Sequence, residues 1–567
     1  MKKLPSLKDL SQEYVAQDFL SIHLSRLNVS SVLAAIAVLV LGTPVNPAQA
    51  GERESLEQLR STTTNLVNLL VQEGVLSKDK AGALLKQAEQ DSKIAKEKDV
   101  AATPASAAKS VDAAIDQKMV RVQYVPEIVK KQMKQEIKDE VMTTLNYKKG
   151  ERLGLPDWIG RLNWEGSLRL RAEADKFPDG NPTPFNYNVA NGTKLANTTE
   201  DRNRLRVRAQ LGVKAEINDW ITSGIRMTTG ILNDPISPNQ TQGAATGKYT
   251  IGLDRAYVNA KIKPWLNVVG GRFANPWFST DLMWDPDLAF DGVAASFTPT
   301  IIEQLVGFVT IGAFPIEDVE KSSTNQAKSK WMYGSQAGIN WKFNSKSHAK
   351  VALAFYDFQD VEGRSNGDAV DLTTGNGPYS STVPAFRTKG NSTFDVNGGF
   401  APGKEQYGLS SKFKDLNLTG QIDLGEFDPV HIILTGDYIR NIGFDKQEIA
   451  RRTGQEAPSA NINAYQVKIS VGMPETYHAG QWNVFAAYKR LEADSVLDGF
   501  TDSDFYLGGT NAKGWLLGGN YGIDKNTWLT ARWFSADEIS PRSTSLGGTP
   551  LSPLSIDVIM FDLNTKF

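Results

Sequence analysis

Arginines recur at every second position in two stretches of the chain. They are Arg169 and Arg171 in the first stretch, and Arg202, Arg204, Arg206 and Arg208 in the second. Successive side chains of a β-strand point to opposite faces, so each set of arginines shares one face of a predicted strand. Rows of charged side chains are how pores choose among ions and polar solutes. The spacing therefore indicates electrostatic selection.

A short segment with three carboxylates is the candidate counterpart of the arginine rows. Residues 274–287 read ANPWFSTDLMWDPD and contain Asp281, Asp285 and Asp287. If this segment folds toward the arginines as a constriction loop, the two sets of charges create a transverse field across a narrow passage. The alternative is an outer loop that never enters the passage, with the arginines acting only as partners in buried salt bridges. The sequence alone leaves both arrangements open.

Predicted β-strands position these residues. Beyond Trp158, segments of about ten residues with period-2 hydrophobicity recur between turn-rich stretches, as in a transmembrane barrel. The predicted strands begin near Arg161, Asp201, Trp220, Ile251, Trp265, Leu288, Gln304, Trp331, His348, Gln406, Val430, Asn461, Gly480, Asn511, Thr527 and Leu554. The sequence therefore predicts an all-β transmembrane barrel of about 16 antiparallel strands, the even number that such barrels have.

The connections between the predicted strands alternate in length. Short turns are predicted at residues 218–219, 263–264, 344–347, 425–429, 474–477 and 524–525. Long polar stretches lie between them, at residues 175–200, 232–250, 274–287, 315–330, 358–405, 442–460, 492–510 and 537–553. Short periplasmic turns with long outer loops are typical of outer-membrane barrels, whereas a soluble sandwich has no reason to keep this alternation.

The membrane predicts which way the arginines point. An arginine on the lipid face near the midplane costs about 2 to 4 kcal/mol, so the arginine rows are predicted to face the lumen. Arg226 and Arg255 have the same inward phase on the next two strands and complete the predicted pore lining.

Tryptophans lie near the predicted periplasmic ends, as in the aromatic girdle of a membrane interface: Trp164, Trp220, Trp265, Trp341, Trp482 and Trp528.

The last residues of the chain form an alternating strand that ends in an aromatic side chain. Ile559, Phe561, Leu563 and Phe567 share one face, and the intervening residues are mostly polar. This arrangement is what the last strand of a bacterial outer-membrane barrel looks like. Phe567 is therefore the predicted membrane assembly signal, for which the partner is the barrel assembly machinery.

Three parts are predicted along the chain. Residues 1–50 resemble a signal peptide, with a basic leader, an apolar core too short to span a bilayer and a small-residue cleavage site; a non-cleaved anchor is the alternative. Residues 51–150 form a predicted helical, coiled-coil-like periplasmic segment with a linker. This segment either packs on itself or on neighbouring subunits, or trimerises or contacts peptidoglycan. Residues 151–567 form the predicted outer-membrane barrel.

Composition and motifs argue against other classes of protein. A net charge of -2 gives no support to nucleic-acid binding, and the absence of cysteine excludes disulfides and thiolate metal sites. The histidines His348, His431 and His478 lie in no recognisable nucleophile, metal or general-base motif. We therefore predict that the protein is not an enzyme and requires neither a metal nor a cofactor.

Several stretches of the sequence resemble one known family. Residues 120–133 with the Lys/Glu-rich helix that follows, 155–159, 271–281 and 52–76 are similar to the putative porin family of Gram-negative bacteria. The resemblance implies an outer-membrane β-barrel, in contact with outer-membrane lipid, through which ions and small hydrophilic solutes diffuse passively. It assigns no catalytic residues, and a homotrimer is an expectation from the general resemblance to porins. The alternative function is a structural or adhesive barrel that links the envelope or a partner through its helical arm and long loops.

Overall fold

The computed structural model describes residues 157–545 and 548–567 of the chain. The predicted signal peptide and the predicted helical segment lie outside the described residues. A 3₁₀ turn at Asp157–Arg161 leads into the first strand. Among the described residues, no helix is both long enough and apolar enough to cross a membrane.

Twenty β-strands are present in the described part of the chain. They are β1 (Leu162–Lys176), β2 (Arg202–Glu216), β3 (Ile221–Thr229), β4 (Gln240–Thr241), β5 (Ile251–Lys263), β6 (Leu266–Ala274), β7 (Ala289–Phe297), β8 (Thr300–Ile302), β9 (Leu305–Glu317), β10 (Lys330–Lys342), β11 (His348–Gln359), β12 (Thr393–Asp395), β13 (Tyr407–Leu409), β14 (Lys414–Phe427), β15 (Val430–Asn441), β16 (Asn463–Gly472), β17 (Trp482–Leu491), β18 (Ala512–Asp524), β19 (Thr527–Glu538) and β20 (Ser555–Lys566).

Sixteen of these strands form one closed antiparallel barrel. Each barrel strand pairs with the next one along the chain, and β20 pairs with β1 from Ser167 opposite Lys566 to Lys176 opposite Asp557. The four short strands are additions, since β4 pairs with β2, β8 pairs with β9, and β12 and β13 form a separate hairpin. The prediction of about sixteen antiparallel strands is confirmed.

The sequence pattern also predicted where most strands begin. Fifteen of the sixteen predicted starts lie within two residues of an observed barrel strand. The exception is Gln406, because the barrel strand β14 begins only at Lys414. The alternating residues just after Gln406 form β13, a short strand that belongs to the long connection between β11 and β14. The alternation of short turns and long loops is confirmed around the whole ring.

The two faces of the barrel wall differ in polarity. On β1, Leu168 and Leu170 are 40% and 43% exposed, whereas Arg171 and Glu173 on the opposite face are 1% and 3% exposed. Tryptophans near the short-turn end are exposed, as an interfacial girdle requires: Trp164, Trp220, Trp265, Trp341 and Trp482. The apolar face therefore points to lipid, and the charged face points into the barrel.

The long loops at the other end of the barrel pack against one another. They contain two short helices, α1 (Pro184–Asn191) and α2 (Lys446–Thr453). The side chain of Asn391 donates to the carbonyl oxygen of Ala493 at 2.6 Å, which joins the loop after β11 to the loop after β17. The side chain of Thr393 donates to Asn191 at the end of α1. These contacts join the loops after β1, β11 and β17 to one another.

The carboxyl-terminal residue packs against the first strand. Phe567 exchanges two backbone hydrogen bonds of 3.0 Å with Gly166, so the pairing of β20 with β1 continues to the end of the chain. The ring of Phe567 lies over Gly166, where a Cβ atom would be 2.1 Å from the nearest ring atom. Gly166 is therefore the position on β1 that leaves room for the terminal ring.

Replacing Gly166 by alanine should destabilise the barrel by about 1 kcal/mol, because the Phe567 ring must leave its place on β1. The measurement is the free energy of unfolding of the refolded barrel in lipid, from denaturant titration. Gly436→Ala is the matched control, since an added Cβ on β15 meets no atom within 4 Å. Equal stability of the two variants would show that the ring is not held by Gly166.

Candidate pore constriction

The arginines of β1 and β2 lie side by side on the inner wall. The register places Arg169 opposite Arg208 and Arg171 opposite Arg206. Arg171 is buried, while Arg206 and Arg208 are partly exposed to the lumen. Like charges directly opposite one another on neighbouring strands repel, so this arrangement requires acidic partners from elsewhere.

Two carboxylates on β1 neutralise part of the arginine rows. Glu173 and Asp175 continue the same face of β1 beyond Arg171, and Glu173 lies opposite Arg204 in the register. Arg204 Nε donates to Glu173 at 2.8 Å, and Arg206 Nη1 donates to the other oxygen at 3.1 Å. Sequence reasoning missed these two acids, although the same period-2 spacing that selected the arginines could have found them.

Arg171 belongs to a second network that sequence reasoning did not find. Its guanidinium group makes a bidentate contact with Asp562 of β20, at 2.7 and 3.0 Å, and donates to Asp504 at 2.9 Å. Arg532 of β19 donates to the same two acids, at 2.9 Å to Asp504 and 3.1 Å to Asp562. Two arginines and two carboxylates therefore bind one another across three adjacent strands and one loop.

Residues 275–288, between β6 and β7, form a loop that we call loop A. Gln336 of β10 accepts a hydrogen bond from the backbone N–H of Phe278 and donates to its carbonyl oxygen, both at 2.8 Å. The hydroxyl of Thr280 donates to the buried Asp437 of β15 at 2.5 Å. Loop A is thus hydrogen-bonded to strands two and five positions beyond β7 in the ring.

Two tryptophans anchor loop A in the interior aromatic cluster. The ring centroids of Trp277 and Trp284 each lie 5.2 Å from that of Tyr356 on β11, at edge-on angles. Gly334 of β10 makes room for the first indole, because a Cβ there would lie 2.5 Å from a ring atom of Trp277. Burial of aromatic rings of this size provides much of the packing energy that holds the loop.

The carboxylates of loop A contact two separate parts of the barrel wall. Asp281 accepts a hydrogen bond from Lys489 of β17 at 2.7 Å, and Asp287 accepts one from Arg208 of β2 at 3.1 Å. β17 lies eight strands from β6 in the ring of sixteen, which is the opposite wall. Loop A therefore crosses the interior of the barrel.

Residues 492–511, between β17 and β18, form a second loop, here called loop B. Asp502 of loop B accepts a hydrogen bond from Lys489 at 2.5 Å, so it shares this lysine with Asp281 of loop A. The backbone N–H of Ser503 donates to Asp285 at 2.8 Å, and the N–H of Asp285 donates to the carbonyl oxygen of Phe500 at 2.8 Å. The two loops are therefore joined directly.

The acids of the two loops titrate differently. Burial and the neighbouring Asp287 and Asp502 raise the pKa of Asp285 well above its usual value, and no arginine or lysine among the described residues forms an ion pair with it. Burial acts in the same direction on Asp504, but Arg171 and Arg532 outweigh it and hold the pKa of Asp504 far below its usual range. The pKa values of the two buried acids are therefore shifted in opposite directions, because only Asp504 has arginine partners.

A buried lysine holds the far side of loop B. Lys389, from the long loop after β11, donates to the carbonyl oxygens of Tyr506 at 2.5 Å and Gly508 at 2.7 Å. Tyr506 and Leu507 have left-handed backbone conformations, with φ of 57° and 54°, which cost about 1 to 3 kcal/mol each. Burial lowers the pKa of Lys389 to about 7. The lysine thus supports a backbone conformation that would otherwise be unfavourable.

Among the described residues, the remaining predicted pore residues form no hydrogen bond or ion pair with loop A or loop B. Arg202 lies at the exposed start of β2, opposite Asp175. Arg226 forms an ion pair with Asp254, and Arg255 lies 3.8 Å from the same carboxylate. The structure therefore brings Asp281, Asp285 and Asp287 together with Arg169 and Arg208, and Arg171 adjoins this group through Asp504. It leaves the other predicted arginines apart from the three carboxylates: Arg202, Arg204, Arg206, Arg226 and Arg255.

The described residues contain no group of three or more histidines and carboxylates placed to hold a metal ion. The ring nitrogen Nδ1 of His431 lies 2.6 Å from a carboxylate oxygen of Asp423 on β14, and Nδ1 of His348 lies 4.0 Å from the other oxygen of the same carboxylate. The chemistry that this arrangement supports is electrostatic, because its charged groups are held in place and face an interior space.

Comparison with known proteins gives one family and several distant structures. Residues 60–567 match the model of a family described as "Putative porin". No curated protein matches the chain. Among solved structures, the chain is similar to OprB of Pseudomonas putida at high pH, with 13% identity, a TM-score of 0.40, and coverage of 71% of this chain and 94% of that one.

Two other solved structures show a similar degree of likeness. One is an anion-selective porin from Comamonas acidovorans, with 11% identity, a TM-score of 0.37 and coverage of 72% of this chain and 99% of that one. The other is Salmonella typhi OmpF in complex with daunomycin, with 10% identity, a TM-score of 0.36 and coverage of 72% and 97%. Likenesses this distant say nothing about which solute passes.

Replacing Lys489 by methionine should destabilise the folded barrel by about 3 to 5 kcal/mol, because Asp281 and Asp502 lose the buried cation that they share. Unfolding of the refolded barrel by denaturant measures the loss. Lys346→Met is the matched control: its ion pair with Asp428 is 3.8 Å long and half exposed, so its removal should cost less than about 1 kcal/mol. A similar small loss for both variants would contradict a central role for Lys489.

Proposed function

The chain belongs to the putative porin family, and from that premise we propose that ions and small hydrophilic solutes diffuse passively through its lumen. We further propose that the narrowest part of the pore lies between loop A and the arginines of β1, β2 and β19. Family membership indicates an outer-membrane channel and not an enzyme. The exposed apolar face of the wall supports contact with outer-membrane lipid.

The path of loop A is the observation that carries this proposal. Its carboxylates contact Lys489 on β17 and Arg208 on β2, which lie five strands apart in the ring, while the loop itself is rooted between β6 and β7. A loop that crosses the lumen reduces the open cross-section at its own height. The space that remains beside it is the passage that a solute must use.

Opposite charges across this passage support electrostatic filtering. Arg169, Arg208 and Arg532 approach it from the wall, and Asp281 and Asp287 approach it from loop A. Charges at fixed positions around a narrow aqueous passage orient polar solutes and discriminate between ions. Pore width and this field together form the proposed filter, and no energy source or cofactor is needed for passive diffusion.

Other expected partners and the alternative function stay predictions. Peptidoglycan contact rests on the predicted helical segment, which lies outside the described residues, and the homotrimer rests on the general resemblance to porins. Assembly by the barrel assembly machinery rests on Phe567. A structural or adhesive barrel differs from a porin in one measurable respect, since it need not conduct ions.

Single-channel recording of the refolded protein in a planar bilayer tests the proposal. A salt gradient across the bilayer gives the reversal potential, which reports the preference for cations or anions. Stable conductance steps with a defined reversal potential are the expected result. Folded, heat-modifiable protein that never conducts would contradict the porin function and favour the structural or adhesive alternative.

Replacing Arg204 and Arg206 together by serine should shift the reversal potential toward cation preference. The change removes two positive charges and leaves Glu173 with only the longer contact to Arg171, at 3.8 Å. A unit charge at 4 Å in water is worth about 1 kcal/mol, so the permeability ratio should change about fivefold. The reversal potential in a salt gradient is the measurement.

The matched control for this double variant removes two charges from exposed loop positions. Lys248 and Lys321 lie in the long loops after β3 and β9, and both are exposed. Replacement of these two lysines by serine should leave the permeability ratio within about twofold of wild type, because exposed charges more than about 10 Å away are screened. If both double variants shift the ratio equally, Arg204 and Arg206 do not line the constriction.

A further inference from the structure

A small cavity lies where loops A and B meet the inner wall. Its volume is about 180 Å³, below the range of about 300 to 1,000 Å³ that is usual for sites that bind drug-sized molecules. The guanidinium groups of Arg169, Arg208 and Arg532 line it on the side of the wall, and carboxylates of both loops line the other side. The size suits a solute of a few heavy atoms.

The carboxylates around the cavity already have their own partners. Four of the five contact a cation: Asp281 and Asp502 share Lys489, Asp287 contacts Arg208, and Asp504 contacts Arg171 and Arg532. Asp285 accepts hydrogen bonds of 2.8 Å from the backbone N–H groups of Asp287 and Ser503. Asp281 and Asp502 share one lysine, but the acids beside the wall are matched one for one: Asp287 by Arg208, and Asp504 and Asp562 by Arg171 and Arg532. On the wall side of the cavity no carboxylate is therefore left unpaired to attract a cationic solute.

Arg169 is different, because it is a cation without an ion pair. It is 9% exposed, and its side chain donates to the neutral oxygen of Asn239 at 2.6 Å. None of the described carboxylates forms an ion pair with it; Asp287 and Asp504 attract it only from a longer distance. Its Nε has no acceptor, and the same is true of Nε in Arg208 and Arg532. A buried cation of this kind favours the arrival of an anion.

We propose that this cavity is a binding subsite for a small oxyanion, such as a carboxylate or inorganic phosphate, with Arg169 as its principal ligand. The planar fork of a guanidinium group matches the oxygens of both anions. A permeating oxyanion would pause here, between Arg169 and the ends of Arg208 and Arg532, before it leaves the constriction. The inference rests on the proposed function, because an anion reaches the cavity only through the lumen.

Substitution of anions in a single-channel recording tests the subsite. Chloride is replaced stepwise by acetate, or by phosphate in a second series, at constant ionic strength, and the current per channel is followed. If the cavity binds an oxyanion, the current should fall as the oxyanion concentration rises and then level off. This saturation is expected in the acetate series, in the phosphate series or in both. Acetamide is the neutral control of the same size as acetate, and it should produce no saturation. A strictly linear dependence in both series would overturn the proposal.

Variants of Arg169 assign the effect to this cavity. Arg169→Gln should raise the half-saturating concentration at least about tenfold, because it removes a charge-assisted hydrogen bond. The Arg169→Lys variant keeps the charge but loses the planar guanidinium group. Its half-saturating concentration should therefore lie between those of the wild type and Arg169→Gln. Arg226→Gln removes the same charge from the Arg226–Asp254 ion pair, outside the cavity, and should retain the wild-type half-saturation. Equal half-saturation in the Arg169→Gln and wild-type channels would overturn the assignment.

The two proposals fail in different ways. Folded protein that gives no current in potassium chloride contradicts the porin function itself. Normal chloride current without oxyanion saturation contradicts only the subsite. For the Arg169→Gln variant, conductance steps in chloride show that the barrel has folded, so a loss of saturation in that channel reports binding.

Discussion

The pairing of β20 with β1 is the contact on which the rest of the structure depends. A barrel without free edges satisfies every backbone N–H and C=O group within the wall, which the lipid interior demands. Closure also divides the side chains into two sets, because residues alternate between lipid and lumen along each strand. Charged groups are excluded from the lipid set, so Arg171, Glu173 and Asp562 are all forced onto the inner wall. The crowding of charge in the lumen follows from the closure.

That crowding in turn determines how the loops fold. Buried charges require partners, and neighbouring strands provide only some of them, as Glu173 does for Arg204 and Arg206. The other partners come from loops A and B, whose acids meet Lys489, Arg208 and Arg171. The wall and the loops thus stabilise each other, and an inward loop A is a consequence of the charge on the wall as much as of its aromatic anchors.

The local sequence pattern predicted the strands of the barrel well and the ion pairs in its interior less completely. The strand starts and the alternation of short and long connections could be predicted from period-2 hydrophobicity and turn residues, because both are properties of contiguous stretches of the chain. Glu173 and Asp175 followed the same local rule and were overlooked beside the arginines. Asp502 and Asp504 obey no local rule, since their loop folds inward only through contacts with residues such as Arg171, more than three hundred positions away. The misplaced start at Gln406 has a similar origin, because β13 has a strand pattern but pairs within a loop.

A row of arginines is therefore a poor measure of the charge that a solute meets. Arg204 and Arg206 are paired with Glu173 and Asp175, and Arg171 shares Asp504 and Asp562 with Arg532, so most of the row contributes to the stability of the wall. Under the proposed function, a passing ion is affected mainly by the charge that these ion pairs leave uncompensated. Arg169 is part of that remainder, since its neighbour Asn239 provides an acceptor but no charge. Under the proposed function, the preference for cations or anions follows from the charge that remains unpaired beside loop A, and not from the number of arginines along β1 and β2.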